Sequence, residues 1–407
     1  MKRIAILHFA GPPTVGGVEW TMLQHARLMA NAGYSVRIVA GTGKAFDDRV
    51  AVVVVPELGS RHPDALAVKK ELDAGQVTPR FEALRDRIAV SLRECLADVD
   101  ILIAHNVFTL HKNLALTAAL NRMVSQQTIK LVLGWHHDVA WTNPLYRNQL
   151  HDGEPWDLLR RPWPSVRHVT VSQARRSELA QLYGIDASQI AVAPPGVDPA
   201  GFFNWQPLTR AIVDQLNLLD ADWILLLPAR LTRRKNIELA VRALAELRRQ
   251  TGLDARLIVT GPPGPHNPAN DAYHQSLLSL RRELGLDGAA HFLYECASHI
   301  PDAVMGDLYT LADALFFPSQ QEGFGIPVLE AGLARLPAFC ADIPPLRETG
   351  DGLAHFFDPN ADPKDVAALI AAALESDRPG RLRRRVRHEY TWSRIFRDRI
   401  KPLLEMT

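Results

Sequence analysis

Short apolar runs alternate with helix-period stretches along almost the whole chain. The runs at residues 3–10, 100–105 and 314–317 are continuously apolar, which is typical of parallel strands that are covered on both faces. The stretches between such runs, for example residues 18–31 and 237–250, place their apolar residues at helical spacing. This β-α-β rhythm predicts an α/β protein built on doubly wound parallel sheets.

The rhythm breaks once, near residues 197–207, where proline, glycine and aromatic residues replace the periodic pattern. We therefore expect a Rossmann-like N-terminal domain over residues 1–205 and a second Rossmann-like domain over 206–380. A C-terminal helix over 381–407 is expected to pack back across the cleft between them. Open parallel sheets bind ligands beyond the carboxyl ends of their strands, so two facing sheets predict a two-substrate enzyme.

Charge and cysteine content exclude several classes of protein. The 46 Lys and Arg residues nearly balance 45 Asp and Glu residues, which argues against a nucleic-acid partner. Only three cysteines occur, without a C-x-x-C pair, so neither a disulfide framework nor a thiolate zinc site is expected. Apolar runs fall short of the roughly 18 residues of a spanning helix. These features predict a cytoplasmic protein.

The segment Glu322-Gly323-Phe324-Gly325-Ile326, continued to Glu330, is the most informative cluster. It follows a predicted strand and leads into a predicted helix, so Glu322 precedes the helix and Glu330 lies about one turn inside it. The glycines allow a ligand to approach the backbone closely, and the helix start suits a phosphate. The alternative is a plain strand–loop–helix connection with two surface glutamates.

Two further clusters follow predicted strands. Arg230 and Lys235 could hold a diphosphate, the guanidinium by its fork and the ammonium as a point charge, although a solvated basic helix start is the alternative. Gly16 and Gly17 follow the first strand and could contact a phosphate or a sugar. They do not form a G-x-G-x-x-G pattern, so a dinucleotide-binding fold is poorly supported.

Taken together, these clusters resemble glycosyltransferase family 4, whose members are retaining enzymes of the GT-B fold. In that family a Gly-Gly loop follows the first strand, an Arg and a Lys five residues apart open the second domain, and an E-x7-E pair lies near its end. The matching residues are Gly16-Gly17, Arg230 with Lys235, and Glu322 with Glu330. The resemblance extends over nearly the whole chain.

The resemblance implies the transfer of a hexose from a UDP- or GDP-hexose to a hydroxyl acceptor, with retention of configuration. No metal or other cofactor is implied, since the cations and the helix dipole would stabilise the departing diphosphate. The residues implied to act in catalysis are His137, Arg230, Lys235 and Glu322. Those implied to bind the donor are Gly16, Gly17, Gly323, Phe324, Gly325, Ile326 and Glu330, the last through the ribose hydroxyls.

The family also places a histidine after a strand of the first domain, close to the donor sugar. The His-Asp order favours His137, and His136 is the alternative. The loop over 138–165 is long and rich in aromatic residues, which stack on sugar faces. We therefore expect His136, Trp141 and Tyr146 to contribute to an acceptor site. The acceptor would be a small molecule, a glycan or a lipid-linked sugar.

Other activities remain open at this stage. A GT-B-type sugar phosphorylase, a nucleotide-sugar epimerase and a sugar-binding protein without turnover all fit the same folds. Residues 378–401 carry ten basic residues against two acidic ones. This tail predicts a peripheral contact with the inner face of a membrane, and a solvated helix is the alternative reading.

Overall fold

The computed structural model describes residues 1–13, 16–127, 129–264 and 269–406. The chain divides into two compact units. The first unit comprises Met1–Gly196 and Trp392–Thr407, and the second comprises Val197–Thr391. Both are α/β units with a parallel sheet, as the sequence rhythm predicts.

The described strands form one sheet in each unit. The first sheet has seven strands in the order β3-β2-β1-β4-β5-β6-β7, and the second has six in the order β10-β9-β8-β11-β12-β13. All the pairings are parallel. The strands are β1 Arg3–His8, β2 Ser35–Ala40, β3 Val50–Val54, β4 Ile101–His105, β5 Leu131–His136, β6 Val166–Thr170, β7 Ala191–Val192, β8 Trp223–Leu227, β9 Ala255–Val259, β10 Ala290–Phe292, β11 Ala314–Phe317, β12 Ala338–Ala341 and β13 His355–Phe357.

Helices connect most consecutive strands. They are α1 Gly17–Asn31, α2 Pro63–Asp73, α3 Pro79–Leu96, α4 Leu114–Ser125, α5 Gln173–Tyr183, α6 Pro199–Phe202, α7 Pro207–Gln215, α8 Ile237–Thr251, α9 Ala269–Glu283, α10 Asp302–Leu311, α11 Ile326–Leu333, α12 Pro344–Gly350, α13 Pro363–Ser376, α14 Arg378–Glu389, α15 Trp392–Ile395 and α16 Lys401–Glu405. Within the described residues, no helix has the length and apolar character that crossing a bilayer requires.

Each sheet is buried on both faces, because apolar residues of successive strand positions enter two different clusters. In the first unit, Ile4 and Ile6 pack on one side of the sheet while Ala5 and Leu7 pack on the other. All four side chains are fully buried. Full burial of an isoleucine or leucine contributes about 1.5–3 kcal/mol, so these uninterrupted apolar strands stabilise a sheet between two helical layers.

The boundary between the units lies after Gly196, whereas we predicted it after residue 205. The reason is packing. Trp205 is 3% exposed and belongs to the apolar core of the second unit, and Val197 forms an isolated parallel bridge with Thr391 of the same unit. The segment with little periodicity is therefore already part of the second unit.

The predicted C-terminal helix 381–407 is divided between the two units. Its first part belongs to α14, where the buried Arg387 guanidinium donates to Asp313 Oδ2 at 2.7 Å inside the second unit. From Trp392 onward the chain belongs to the first unit, because Trp392, Ile395 and Leu404 are buried in the cluster that contains Ile4. One continuous helix does not form, since the buried residues on either side of residue 391 belong to different cores.

Candidate active site

In the second unit, the two predicted clusters come together because their strands are neighbours. β8 and β11 pair directly, and both run in the same direction. The loop that carries Arg230 and Lys235 follows β8, and the loop that carries Glu322 follows β11. Both loops therefore leave the same edge of the sheet, which is the edge where open parallel sheets bind ligands.

Lys235 and Glu322 form a buried ion pair at this edge. The Lys235 ammonium donates to Glu322 Oε1, and each side chain is only 10% exposed. Burial lowers the pKa of Lys235, and the hydrogen bond to Glu322 acts against that shift. The ammonium also lies 4.9 Å from the centre of the Phe317 ring. The structure thus holds a desolvated positive charge beside a carboxylate, where electrostatic interactions are stronger than in water.

Two hydrogen bonds to backbone carbonyls fix the two loops against each other. Gln320 N donates to the Arg234 carbonyl at 2.8 Å, and Arg234 Nη1 donates to the Gln321 carbonyl at 3.0 Å. Arg234 Nη1 also lies 3.6 Å from Glu322 Oε2. Arg234 was not among the predicted site residues. Its part is to join the loop after β8 to the loop after β11.

Arg230 is exposed, and it has no ion-pair partner in the part of the chain that the structure describes. It follows β8 at the same sheet edge as Lys235. Two cations of different character therefore lie in one loop, one buried and paired and the other open to solvent. An anionic ligand at this edge could be held by both.

The glycines before α11 differ in their surroundings. Gly325 has a φ of +103° and is the N-cap of α11, and a Cβ there would lie 2.5 Å from Leu346 Cδ2. A Cβ on Gly323 would meet nothing within 4 Å. Phe324 and Ile326 are 49% and 59% exposed. Gly325 is therefore required by the fold, while the backbone at Gly323 is open to a ligand.

Glu330 lies one turn inside α11, as predicted, and is exposed. Tyr309, on α10, donates its hydroxyl to Glu330 Oε2 at 2.5 Å. Tyr309 is only 5% exposed, and its burial and the carboxylate beside it raise its pKa. It therefore stays a neutral donor that holds one oxygen of Glu330. We did not predict Tyr309, because no sequence pattern connects the two helices.

Histidines end three adjacent strands of the first unit. His8 ends β1, His105 ends β4 and His136 ends β5, and these strands are neighbours in the sheet. His8 Nδ1 bonds to the His105 carbonyl at 2.9 Å, and His8 Nε2 lies 3.9 Å from Glu19 Oε1. Burial lowers the pKa of both His8 and His105. This edge therefore presents neutral imidazoles.

The predicted Gly16-Gly17 pair lies at the start of α1, at the same edge. Gly16 is the N-cap in an extended conformation, and a Cβ on it would meet Glu19 Oε2 at 2.1 Å. A Cβ on Gly17 would meet nothing within 4 Å. Gly16 therefore leaves room for the carboxylate of Glu19, and Gly17 leaves its backbone accessible.

His136 and His137 have different environments. His136 is fully buried, with Nδ1 3.2 Å from Thr109 Oγ1 and Nε2 2.9 Å from His168 Nδ1. Both ring nitrogens are therefore occupied. This placement does not support the acceptor role that we predicted for His136, because no polar atom of its ring remains for a ligand.

His137 is half-buried just beyond the end of β5. Its Nε2 shares a hydrogen bond of 3.0 Å with His105 Nδ1, and its backbone N–H donates to Asn106 Oδ1 at 2.8 Å. Burial lowers its pKa to about 4, so the ring is neutral near pH 7. Nδ1 of His137 is thus the imidazole atom that remains for a ligand. His105 and Asn106 were missed, because they lie far from His137 along the chain.

The two aromatic residues predicted for the acceptor site are partly buried and already have partners in the first unit. Trp141 Nε1 donates to the Trp156 carbonyl at 3.2 Å, and the Arg160 guanidinium lies 4.4 Å from the centre of the Trp141 ring. Lys112 lies 4.9 Å from the centre of the Tyr146 ring. These contacts explain how the long loop packs. An acceptor role for the two rings stays a prediction.

The described residues contain no group of three or more His, Cys, Asp or Glu side chains that could hold a metal ion. The adjacent imidazoles of the first unit bond to one another or to the backbone. That transfer needs no metal ion stays a prediction from the sequence.

Two family models match the chain in succession. The model described as Glycosyltransferase Family 4 matches residues 15–200, and that described as Glycosyl transferases group 1 matches residues 209–390. Among curated relatives, the mannosylglucosylglycerate synthase of Petrotoga mobilis is 27% identical over 61% of this chain and 61% of its own length. The D-inositol 3-phosphate glycosyltransferase of Kineococcus radiotolerans is 33% identical over 51% of this chain and 49% of its own length.

The chain thus spans less than two thirds of the length of those two relatives. The MMP alpha-(1->4)-mannosyltransferase of Mycolicibacterium hassiacum is 24% identical over 97% of this chain and 95% of its own length. A solved structure of sucrose-phosphate synthase from Thermosynechococcus elongatus is 18% identical, with a TM-score of 0.40 and coverage of 99% of this chain and 98% of that one.

Two parallel α/β units, matched one after the other by these two family models, have the two-domain architecture of the GT-B enzymes. The chain belongs to the family 4 type of these enzymes. The fold class and the family that the sequence predicts are thereby confirmed.

Proposed function

We propose that the protein is a retaining, metal-independent hexosyltransferase that uses a UDP- or GDP-hexose. The observation that carries the proposal is the buried Lys235–Glu322 pair beside a glycine-flanked helix start. A preorganised cation at this position can stabilise the negative charge that develops on a departing nucleoside diphosphate. Arg230 would supply a second cation from the same loop.

The remaining residues would each act on one part of the donor. Glu330, held by Tyr309, would accept hydrogen bonds from the ribose hydroxyls. The open backbone at Gly323 would allow the hexose to approach closely. The neutral ring of His137 would hydrogen-bond a sugar hydroxyl through Nδ1. These roles rest on the family resemblance and on the positions described above.

Retention would follow from attack on the face that the diphosphate leaves. The bond between the anomeric carbon and the phosphate oxygen breaks, and the acceptor oxygen bonds to the same face of the cationic sugar. The acceptor proton passes to the departing phosphate oxygen. Lys235 and Arg230 stabilise that phosphate, so the step requires no metal Lewis acid.

The names of the relatives support a hexosyl donor and a small-molecule hydroxyl acceptor rather than a glycan or a lipid-linked sugar. They include a mannosyltransferase and several D-inositol 3-phosphate glycosyltransferases. A cytoplasmic location is supported by the three unpaired cysteines, Cys95, Cys296 and Cys340.

The test is nucleotide release from a panel of UDP- and GDP-hexoses in the presence of hydroxyl acceptors. Lys235→Ala should reduce kcat by about 100-fold or more, as loss of a preorganised transition-state donor typically does, and Glu322→Ala should also reduce it because the Lys235 ammonium loses the carboxylate that positions it. Lys364→Ala is the matched control, because Lys364 is an exposed lysine at the start of α13 in the same unit. Wild-type rates in Lys235→Ala would contradict the proposal.

The same assay separates the alternatives. EDTA should leave the rate unchanged, and the product should keep the anomeric configuration of the donor. A phosphorylase would instead release a sugar phosphate from a glycoside and inorganic phosphate. An epimerase would change the sugar of the donor without an acceptor, and a binding protein would release no nucleotide.

A further inference from the structure

The second unit contains an apolar groove away from the predicted donor site. Its volume is about 400 Å³, and its walls come from the segment around α6 and from α10 and α14. The aromatic and aliphatic residues that form most of it include Phe202, Phe203, Trp205, Leu219, Leu382 and Val386. None of the residues that line it belongs to the clusters that follow β8 and β11.

The rim of the groove exposes large apolar side chains to solvent. Phe202 is 79% exposed, Leu382 is 62% exposed, and Phe203 and Val197 are 44% and 43% exposed. Single exposed apolar residues are common, but several around one apolar groove mark a contact surface for a protein or a membrane. Phe202 and Leu382 contribute little burial to the core of the unit, so the fold does not require large apolar side chains at these two positions.

The helix α14 gives this groove a positive border. Pro379, Leu382, Arg383 and Val386 line the groove at helical spacing, while Arg378 and Arg381 are exposed beside them. In the part of the chain that the structure describes, neither exposed arginine has a carboxylate partner.

Two more guanidiniums of α14 keep their charge without a carboxylate. Arg383 donates to the Ala312 carbonyl, and the guanidinium of Arg384 lies 5.7 Å from the centre of the Trp223 ring. By contrast, Arg385 pairs with Glu389, and Arg387 pairs with Asp313. α14 therefore carries four arginines whose charge no described carboxylate neutralises.

We propose that this groove and α14 form a docking surface for an anionic lipid bilayer. Phe202, Phe203 and Leu382 would insert into the boundary between headgroups and acyl chains, and the exposed Arg378 and Arg381 would contact the anionic headgroups. Exposed phenylalanine and leucine beside unpaired arginines is the combination that binds membrane interfaces. A bilayer offers an apolar layer covered by many anionic groups, which matches both parts of the surface.

This surface differs from the contact that the sequence predicts for the whole basic tail. In the part from Trp392 onward, Arg397 pairs with Asp398 and Lys401 lies 3.8 Å from Glu405. The apolar residues of that part are buried in the first unit. The apolar half of the surface comes from Phe202 and Phe203, which the sequence places far from α14.

The experiment measures co-flotation of the 407-residue chain with vesicles. Vesicles of equal parts phosphatidylglycerol and phosphatidylcholine should bind the protein at low ionic strength, and pure phosphatidylcholine should bind it far less. Arg378→Ala with Arg381→Ala should weaken binding by about 10- to 30-fold, at about fivefold for each arginine removed. Phe202→Ser with Leu382→Ser should weaken it by about tenfold or more.

Leu353→Ser and Arg242→Ala are matched controls, because both residues are exposed in the second unit and lie outside the groove. Both should bind vesicles as the wild type does. The proposal is overturned if the wild type does not bind anionic vesicles, or if groove variants and controls bind equally. Self-association in sedimentation that the groove variants abolish, without vesicle binding, would also overturn it in favour of a contact between copies. The assay needs neither donor nor turnover, so its outcome is independent of the proposed activity.

Discussion

A single hydroxyl group determines the proton positions around His136. Thr109 Oγ1 donates its proton to the Asp138 carbonyl at 2.8 Å, since a carbonyl can only accept. Thr109 must therefore accept from His136 Nδ1–H, which leaves His136 Nε2 to accept from His168 Nδ1–H. This chain of bonds keeps the His136 ring neutral and fixes the backbone at Asp138, directly after His137, while burial lowers the pKa of His168.

The sequence could rank His137 above His136 but could not separate their roles. Two adjacent histidines at a strand end match the same family pattern equally well in position, and only their order before Asp138 distinguishes them. What separates them physically is contact with Thr109, His168 and His105, which lie on other elements. Such contacts leave no local pattern in the sequence.

Replacing Tyr309 with Phe should weaken donor binding with little effect on kcat. The substitution removes the hydrogen bond to Glu330 Oε2 and keeps the packing of the ring. A hydrogen bond to a charged group contributes about 1.5–3 kcal/mol, and a positioning role transmits part of it, so KM for the donor should rise about 3- to 10-fold. The measurement is steady-state kinetics with a nucleotide sugar and with its 2′-deoxyribose analogue.

In Tyr309→Phe, the KM for the 2′-deoxyribose analogue should differ less from the KM for the nucleotide sugar than it does in the wild type. The reason is that Glu330 no longer presents a fixed carboxylate to the ribose. Tyr294→Phe is the control, since Tyr294 is 41% exposed and has no hydrogen bond to Glu330. An unchanged ratio of KM values for the two donors would show that Tyr309 only packs against α11.

At the level of elements, the strands that carry the site could be predicted closely. β11 has the bounds that the apolar run at residues 314–317 indicates, and Glu330 lies one turn inside α11, as predicted. The reason is that parallel strands buried on both faces are continuously apolar and end sharply at polar or glycine residues. The pairing of β8 with β11 could not be predicted, because the apolar runs do not encode strand order.

Substitutions at the two glycines of the loop before α11 should affect different properties, one the stability of the fold and the other the binding of the donor. Gly325→Ala should lower the free energy of unfolding by about 2 kcal/mol or more, because the residue has a positive φ and its Cβ would contact Leu346. Gly323→Ala should leave thermal stability unchanged and raise KM for the donor, because its Cβ would occupy the space that a ligand approaches.

Thermal melting and donor titration of both variants check this pair of expectations. Gly288→Ala is a suitable control, since a Cβ there also meets nothing within 4 Å and the residue follows α9, outside the loop before α11. Two results would contradict the role of the open backbone at Gly323. One is a lower melting temperature of Gly323→Ala, and the other is a KM for the donor in Gly323→Ala that equals those of the wild type and of Gly288→Ala.

At the scale of the whole molecule, the sequence predicts two units. It does not show at which residues the second unit begins and ends. The loss of periodicity near residue 200 reads equally well as a linker or as a folded segment. Burial of Trp205 in one core and of Trp392 in the other decides the matter. Both are tryptophans in weakly periodic sequence, and only their tertiary contacts assign them.

The buried histidines of the first unit should make the whole protein sensitive to mild acid. Burial lowers the pKa of His25 to about 3 and those of His137 and His168 to about 4, against an ordinary value of 6.5. Below pH 6.5 the unfolded chain binds protons that the folded chain does not, so stability present above that pH is lost as the pH falls toward 4. Each such histidine should reduce the free energy of unfolding by roughly 1 kcal/mol at about pH 5.5.

Melting temperatures measured between about pH 7.5 and pH 4.5 check this expectation, and the decline should begin well before the carboxylates take part. The Arg49 guanidinium holds the pKa of Asp47 at about 2, and the backbone N–H of Arg3 together with the Lys130 ammonium holds that of Asp100 at about 2, so the stability these carboxylates contribute is lost only as the pH falls from below 4 through that value. A melting temperature that stays constant down to pH 4.5 would therefore mean that the buried histidines are hydrated and protonate in the folded state. In that case His137 would present a cation to the donor sugar near pH 5, and the rate of transfer would titrate with it.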